Sequence, residues 1–147
     1  MNINTFNKKV EQVRAKQPIW FALKSDNIQN KLICDKVEQK LKAKLPIEYK
    51  DFILQYGGGY FGFTSIYSLD PDSDWNIVKM NQLYLHSKFI IFSDNGVGDV
   101  YGFKIVNEEC ESEVYFFDHE CNEWSLTEYK NLFAYLYEVG LKGSLLV

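Results

Sequence analysis

Much that would mark a membrane protein, a secreted scaffold or a common enzyme is missing from these 147 residues. The longest apolar run free of tyrosine, Ile19–Leu23, falls far short of the ~20 residues that span a bilayer. The first twenty residues carry Lys8, Lys9, Glu11, Arg14 and Lys16 and no apolar stretch of the kind a secretory leader needs, so none is expected. Cysteine is scarce and odd in number, with 3 residues at Cys34, Cys110 and Cys121, which points to reduced thiols and a cytoplasmic protein rather than a disulfide framework. Histidine is scarcer still: only His86 and His119 are present, and no Gly-x-Ser-x-Gly elbow accompanies them. Nucleophilic catalysis therefore has little to work with. No segment is low in complexity, and no internal repeat is visible.

Aromatic residues, by contrast, are plentiful: 11 Phe, 10 Tyr and 3 Trp make up 16% of the chain. Few large side chains then suffice to build a core, and tyrosine tolerates a half-wet position, so some rings are candidates for a binding surface. Charge is unevenly spread. The net charge is −4, yet residues 1–50 carry a net of +6 and residues 51–147 a net of −10. Between Asp94 and Glu123 stand nine acids and a single base, Lys104. A field of that sign repels nucleic acid and steers basic partners inward. The same run is equally what a solvated, solubilising face looks like, and both readings stay open on composition.

Periodicity sets the expected elements. Phe6, Val10 and Val13 mark one face of a first helix capped by Asn4 or Thr5 and ending before Pro18. Pro18–Leu23 is expected to be extended. A second helix opens at Ser25 or Asp26, with Gln29 as box partner and Ile28, Leu32, Val37, Leu41 and Leu45 inside. Pro46 restarts the chain, Tyr49, Phe52, Ile53 and Tyr56 form one stripe, and Gly57 ends that helix. Strands are expected at Tyr60–Thr64, Ser65–Leu69, Lys88–Ser93, Val100–Val106 and Glu113–Asp118. Asp74 is the expected cap of a helix over Trp75–Leu85 with Trp75, Val78, Leu83 and Leu85 inside. Asp94–Asp99 reads as a turn and Asn107–Ser112 as an acidic loop. A last helix is expected to open at Ser125, with Glu128 as box partner, to turn Leu132, Phe133, Leu136 and Tyr137 inward, and to stop at Gly140. The order predicts one domain over residues 1–147, of α+β class: a curved, mainly antiparallel sheet with N-terminal helices and a C-terminal helix packed against it.

Three constellations that could carry chemistry are weak. Gly57-Gly58-Gly59 follows a helix and faces its negative end, with no Gly-Lys-Ser/Thr after it, so it is no phosphate cradle. Asp118-His119-Glu120-Cys121, with Cys110 nearby in sequence, lacks the paired spacings of structural zinc. Asp94–Asp99 lacks the alternating acids and terminal Glu of a calcium loop. No metal and no cofactor are expected, and no enzymatic activity.

Four stretches in order carry a family likeness. They are Leu45-Pro46-Ile47-Glu48-Tyr49-Lys50-Asp51-Phe52-Ile53; Tyr56-Gly57-Gly58-Gly59; Phe89–Asp99 with Tyr101-Gly102-Phe103; and Val114-Tyr115-Phe116-Phe117-Asp118-His119-Glu120 before an aromatic-rich helix. The set, from about Ser25 to Tyr137, resembles the SUKH superfamily, in its Smi/Knr-type branch named after a yeast cell-wall synthesis regulator. The resemblance implies an α+β fold without catalytic residues. It implies a bacterial immunity protein that binds and neutralises a cognate toxin, a basic nuclease foremost, in the cytoplasm, with no nucleic acid or membrane as partner. The other role in the family is a non-catalytic adaptor in cell-wall or signalling regulation. Pro46, Tyr49, Phe52 and Gly57 read as fold determinants, and Gly96, Gly98 and Tyr101 as hairpin geometry. Partner contacts are expected instead from exposed acids and aromatics around the late strands, the acids being Asp94, Asp99, Glu113, Asp118, Glu120 and Glu123.

Overall fold

The computed structural model describes residues 1–16, 31–84 and 86–142. Helix α1 (Ile3–Lys16) buries Phe6, Val10 and Val13, the stripe its spacing demands. Its cap is Asn2 rather than Asn4 or Thr5: the Asn2 side-chain oxygen accepts the Thr5 N–H at 2.9 Å. The expected extended segment at Pro18–Leu23 and the Asp26–Gln29 cap lie outside the described residues. Helix α2 (Lys31–Leu41) buries Cys34 and Val37. Leu32, expected inside, is 66% exposed, because it sits about 200° around the helix from Cys34. The thiol takes the core position that leucine was expected to fill.

Helix α3 (Ile47–Tyr56) starts after Pro46 and ends at Gly57, whose φ is +79° and whose N–H donates to the Ile53 carbonyl at 2.9 Å. Tyr49, Phe52 and Ile53 are buried along it. Two short strands follow, β1 (Gly59–Phe61) and β2 (Thr64–Ile66), paired antiparallel. They are shorter than the expected strands because Gly62 and Phe63 form a turn between them. Gly62 has φ +59°, and a Cβ there would lie 2.1 Å from the Gly140 carbonyl oxygen, so only glycine fits. Helix α4 (Ile77–Tyr84) begins later than expected. Asn76, not Asp74, caps it by accepting the Val78 and Lys79 N–H groups at 3.0 and 3.1 Å. Its buried residue is Ile77, while Leu83 is 73% exposed and Trp75 lies before the helix, edge-on to Tyr60. Leu85 lies outside the described residues.

Strands β3 (Phe89–Asp94), β4 (Val100–Val106), β5 (Glu109–Asp118) and β6 (Glu123–Leu126) form one antiparallel sheet in that order. Register shifts between Ile91 and Ser93 and between Phe103 and Ile105 bulge it. The expected loop at Asn107–Ser112 is mostly strand. Asn107 and Glu108 both take positive φ, 51° and 64°, and close a two-residue hairpin. The expected helix start at Ser125 is also wrong. Ser125 belongs to β6, where Trp124 and Leu126 alternate with polar neighbours, and Asn131 caps the helix by accepting the Ala134 N–H at 3.0 Å. That helix, α5 (Leu132–Tyr135), runs into a π-helical turn at Leu136–Leu141. Gly140 lies inside that turn instead of ending the helix, and its carbonyl accepts the Phe63 N–H at 3.0 Å.

The architecture is α+β. Phe6, Phe52, Phe61, Phe92, Phe103, Val114, Phe133 and Tyr135 are part of one buried cluster contributed by the helices and the inner sheet face. Phe6 touches the rings of Phe52, Tyr56, Phe61 and Phe133, tying α1 to α3, β1 and α5.

Candidate partner-binding surface

Alternation along the strands gives the sheet a second, outer face. Cross-strand partners share a face, so Gly102, Tyr115 and Leu126 line up, as do Phe117 and Trp124. Trp124 lies flat on Phe89 with centroids 3.9 Å apart and planes 8° off parallel. Gly102 makes room for this: a Cβ there would stand 3.1 Å from the indole. Tyr115 meets Phe89 edge-on at 5.3 Å, and His86 closes the group against Phe117 and Trp124. The indole N–H donates to His86 Nδ1 at 3.3 Å. Burial lowers the His86 pKa, which keeps the ring neutral and that nitrogen able to accept. Phe89, Tyr115 and Trp124 remain half-buried and Leu126 is exposed. Burial raises the Tyr115 phenol, with Glu111 and Glu113 adding to the shift, so these two carboxylates stand within electrostatic reach of the ring.

Hairpin geometry gathers the acids. Asp94 pairs with Val100 and Asp118 with Glu123, so the β3–β4 and β5–β6 turns project from the same end of the sheet. Five of the six acids expected to bind a partner therefore lie together: Asp94, Asp99, Asp118, Glu120 and Glu123. Glu113 lies apart, about 16 Å up β5 from Asp118, beside Tyr115. Within the group of five, roles divide. Asp94 accepts the Tyr67 hydroxyl at 2.6 Å and the Gly96 N–H at 2.8 Å. Asp118 accepts the Glu120 N–H at 2.9 Å. Asp99 clasps the two turns together: it accepts from the His119 backbone at 3.0 Å, from Asn95 at 2.9 Å, and pairs with His119 Nδ1 at 2.6 Å. These bonds, His119 first, pull the Asp99 pKa down to about 2, and Asp99 in turn raises that of His119. Glu120 and Glu123 are exposed and add charge at this end.

The remaining acids of the segment are not here. Glu108 and Glu109 sit at the opposite end, where the Lys44 N–H donates to the Glu108 carbonyl at 2.9 Å and its ammonium lies 4.0 Å from Glu109. A lysine from the basic first third thus offsets part of the acidic run.

Asp99, Asp118 and His119 each bring one ligand-capable atom to within 4.8 Å of the others. Both Asp99 oxygens are already engaged, Oδ1 by the imidazole and the His119 backbone and Oδ2 by Asn95, so the arrangement reads as a clasp between turns. The thiols are poorly set up for nucleophilic work. Burial raises Cys34 and pushes Cys110 up to about 12, and the Asp118 charge raises Cys121. No helix among the described residues is long and apolar enough to cross a membrane.

Sequence reasoning did not single out Phe89, Tyr115, Trp124 and His86 as one surface. The signal was there in the alternation of Trp124 and Leu126 with the polar Glu123, Ser125 and Thr127, whereas in β5 both faces carry apolar residues.

Fold and surface together define an α+β domain whose sheet turns half-exposed rings and an acidic end outward. Residues 34–136 match the SUKH_6 family, described as SMI1-KNR4 cell-wall, and the chain belongs to that family. It is also similar to a crystal structure of a protein from Pseudomonas syringae pv. tomato. The TM-score is 0.63 at 16% identity, over 92% of this chain and 98% of that one, a likeness of fold. No curated protein matches the chain.

Proposed function

We propose that this chain is an immunity protein: a non-catalytic, cytoplasmic binder that neutralises a basic toxin domain, a nuclease foremost, by covering it. Family membership supports a protein partner, and the observation that carries the charge argument is the meeting of two acidic turns at one end of the sheet. Nucleases are basic where they hold nucleic acid, so a negative surface steers the encounter and competes for that site. Asp94, Asp99, Asp118, Glu120 and Glu123 supply the field at the sheet end. Glu113 rims the ring face of Phe89, Tyr115 and Trp124, where half-exposed aromatics give a partner apolar area to bury.

The test is a titration against the toxin domain encoded beside this gene, at low and high salt. Asp118→Lys with Glu120→Lys is expected to slow association about tenfold or more at low salt and to leave dissociation nearly unchanged. Absence of a complex at either salt overturns the proposal. The family description keeps a second reading in play, an adaptor in cell-wall or signalling regulation. That reading predicts endogenous partners and no toxin gene alongside.

A further inference from the structure

A groove runs between α2 and α4 on the helical side of the molecule. Its floor is apolar: Ile33 and Val37 from α2, Val78 from α4, and Leu69 beneath them, around a cavity of about 540 Å³. Past Lys40, Val78 and Gln82 it continues into a second recess of about 320 Å³ that reaches Ile90 and Ile105. The rim is cationic. Lys36 and Lys40 stand one turn apart on α2, and Lys79 faces them from α4. Among the described residues no aspartate or glutamate lines either recess, in a chain that has 20 of them.

We propose that this groove is a second protein-docking surface, opposite in charge to the sheet end, and that it takes an amphipathic helix with an apolar stripe flanked by aspartate or glutamate. The charge complement follows from the lysine rim. A helical occupant follows from the walls: α2 presents Ile33 and Val37 at i and i+4, α4 presents Val78, and a third helix fits the channel between two helices. An added strand is disfavoured, because the neighbouring edge of β3 is already engaged. Asn81 accepts the Ile91 N–H at 2.8 Å and donates to its carbonyl at 2.9 Å. The acidic sheet end lines neither recess, whereas His86 and Phe89 of the ring face line the second one, so the groove adjoins that face, and the proposal does not rest on the toxin reading.

The probe is a synthetic helix-forming peptide with leucines at i, i+3, i+4 and i+7 and glutamates on both flanks, added to the full chain and followed by backbone amide NMR shifts. Shifts are expected along α2 and α4, and the charge reversals Lys36→Glu with Lys40→Glu should weaken binding about tenfold or more. Circular dichroism checks that these exposed changes leave the fold intact, and Lys79→Glu gives an independent reversal on the opposite wall. A control peptide with lysines in place of the glutamates is expected not to bind. The proposal is overturned if that control binds as well, if the shifts fall on the sheet end, or if all three reversals leave affinity unchanged. Lysine-dependent binding of anionic phosphatidylglycerol vesicles with no peptide binding would likewise overturn it, by assigning the groove to a lipid surface.

Discussion

The two faces of the four-stranded sheet are made from the same kinds of residue and end up with opposite roles. On the inner face Phe92 stacks on Phe103 at 4.5 Å, and Tyr135 meets Phe92 edge-on. The hydroxyls of the fully buried tyrosines on this side are placed: Tyr49 donates to the Tyr67 carbonyl at 2.7 Å, and Tyr135 lies 2.9 Å from the Thr64 and 3.1 Å from the Ser93 hydroxyl. Buried tyrosines are tolerated there because each oxygen has a partner. On the outer face Phe89, Tyr115 and Trp124 lean chiefly on one another and stay half in water. Aromatic content alone therefore does not separate a core from a docking surface; the fate of the polar tips and the degree of covering do.

The sharpest way to break this contrast is truncation on each face. Phe103→Ala, fully buried, is expected to cost ~3–5 kcal/mol, read by denaturant unfolding. Trp124→Ala is expected to cost ~1–2 kcal/mol, since only part of the ring's area is removed from water. Equal losses would mean that both faces are core. Next in size is Gly62→Ala, which combines a left-handed backbone with a clash on the Gly140 carbonyl and should cost ~2–4 kcal/mol. A loss below about 1 kcal/mol would show that the β1–β2 turn and the π-helical turn do not meet as described. Tyr135→Phe removes one buried hydroxyl and leaves Thr64 and Ser93 to pair with each other, at ~1 kcal/mol; the melting temperature should fall by a few degrees.

The smallest expected effect concerns the clasp between the acidic turns. The Asp99 pKa is depressed to about 2, so its contribution is present above the ordinary 3.8 and is lost as pH falls through about 2. The His119 pKa is raised, so its contribution is complete below the ordinary 6.5 and is lost as pH rises through the folded value. Both halves act together between those ordinary values. Asp99→Asn should return the His119 titration, followed by NMR, towards 6.5 and flatten the pH dependence in that window. An unmoved His119 titration would show that the clasp is absent in solution.

What was legible in the sequence was whatever a local pattern could encode. The stripe of α1, the Pro46-to-Gly57 limits of α3 and the Val100–Val106 strand follow from periodicity and from proline and glycine chemistry. Elements fixed by distant partners depart from their local pattern. Ser125 and Glu128 match a capping box, but Trp124 finds Phe89, a residue far away in sequence, and draws its segment into the sheet. Gly140 resembles a helix stop, yet its carbonyl is needed by Phe63, across the molecule. The acids were foreseen by type, and hairpin register decided which of them meet. Glu113 stands apart from the other five because it is five residues up β5 from the turn.

The Asn81 amide has a consequence for how this molecule behaves in a crowded cell. By occupying the N–H and C=O of Ile91 it stands in for a neighbouring strand and seals one border of the sheet, leaving β6 to form the other. Stacking copies strand to strand into a fibre requires two open borders on each molecule. With one of them plugged by a side chain, growth along the four-stranded sheet is capped at a pair, and replacing Asn81 by an apolar residue would reopen that border.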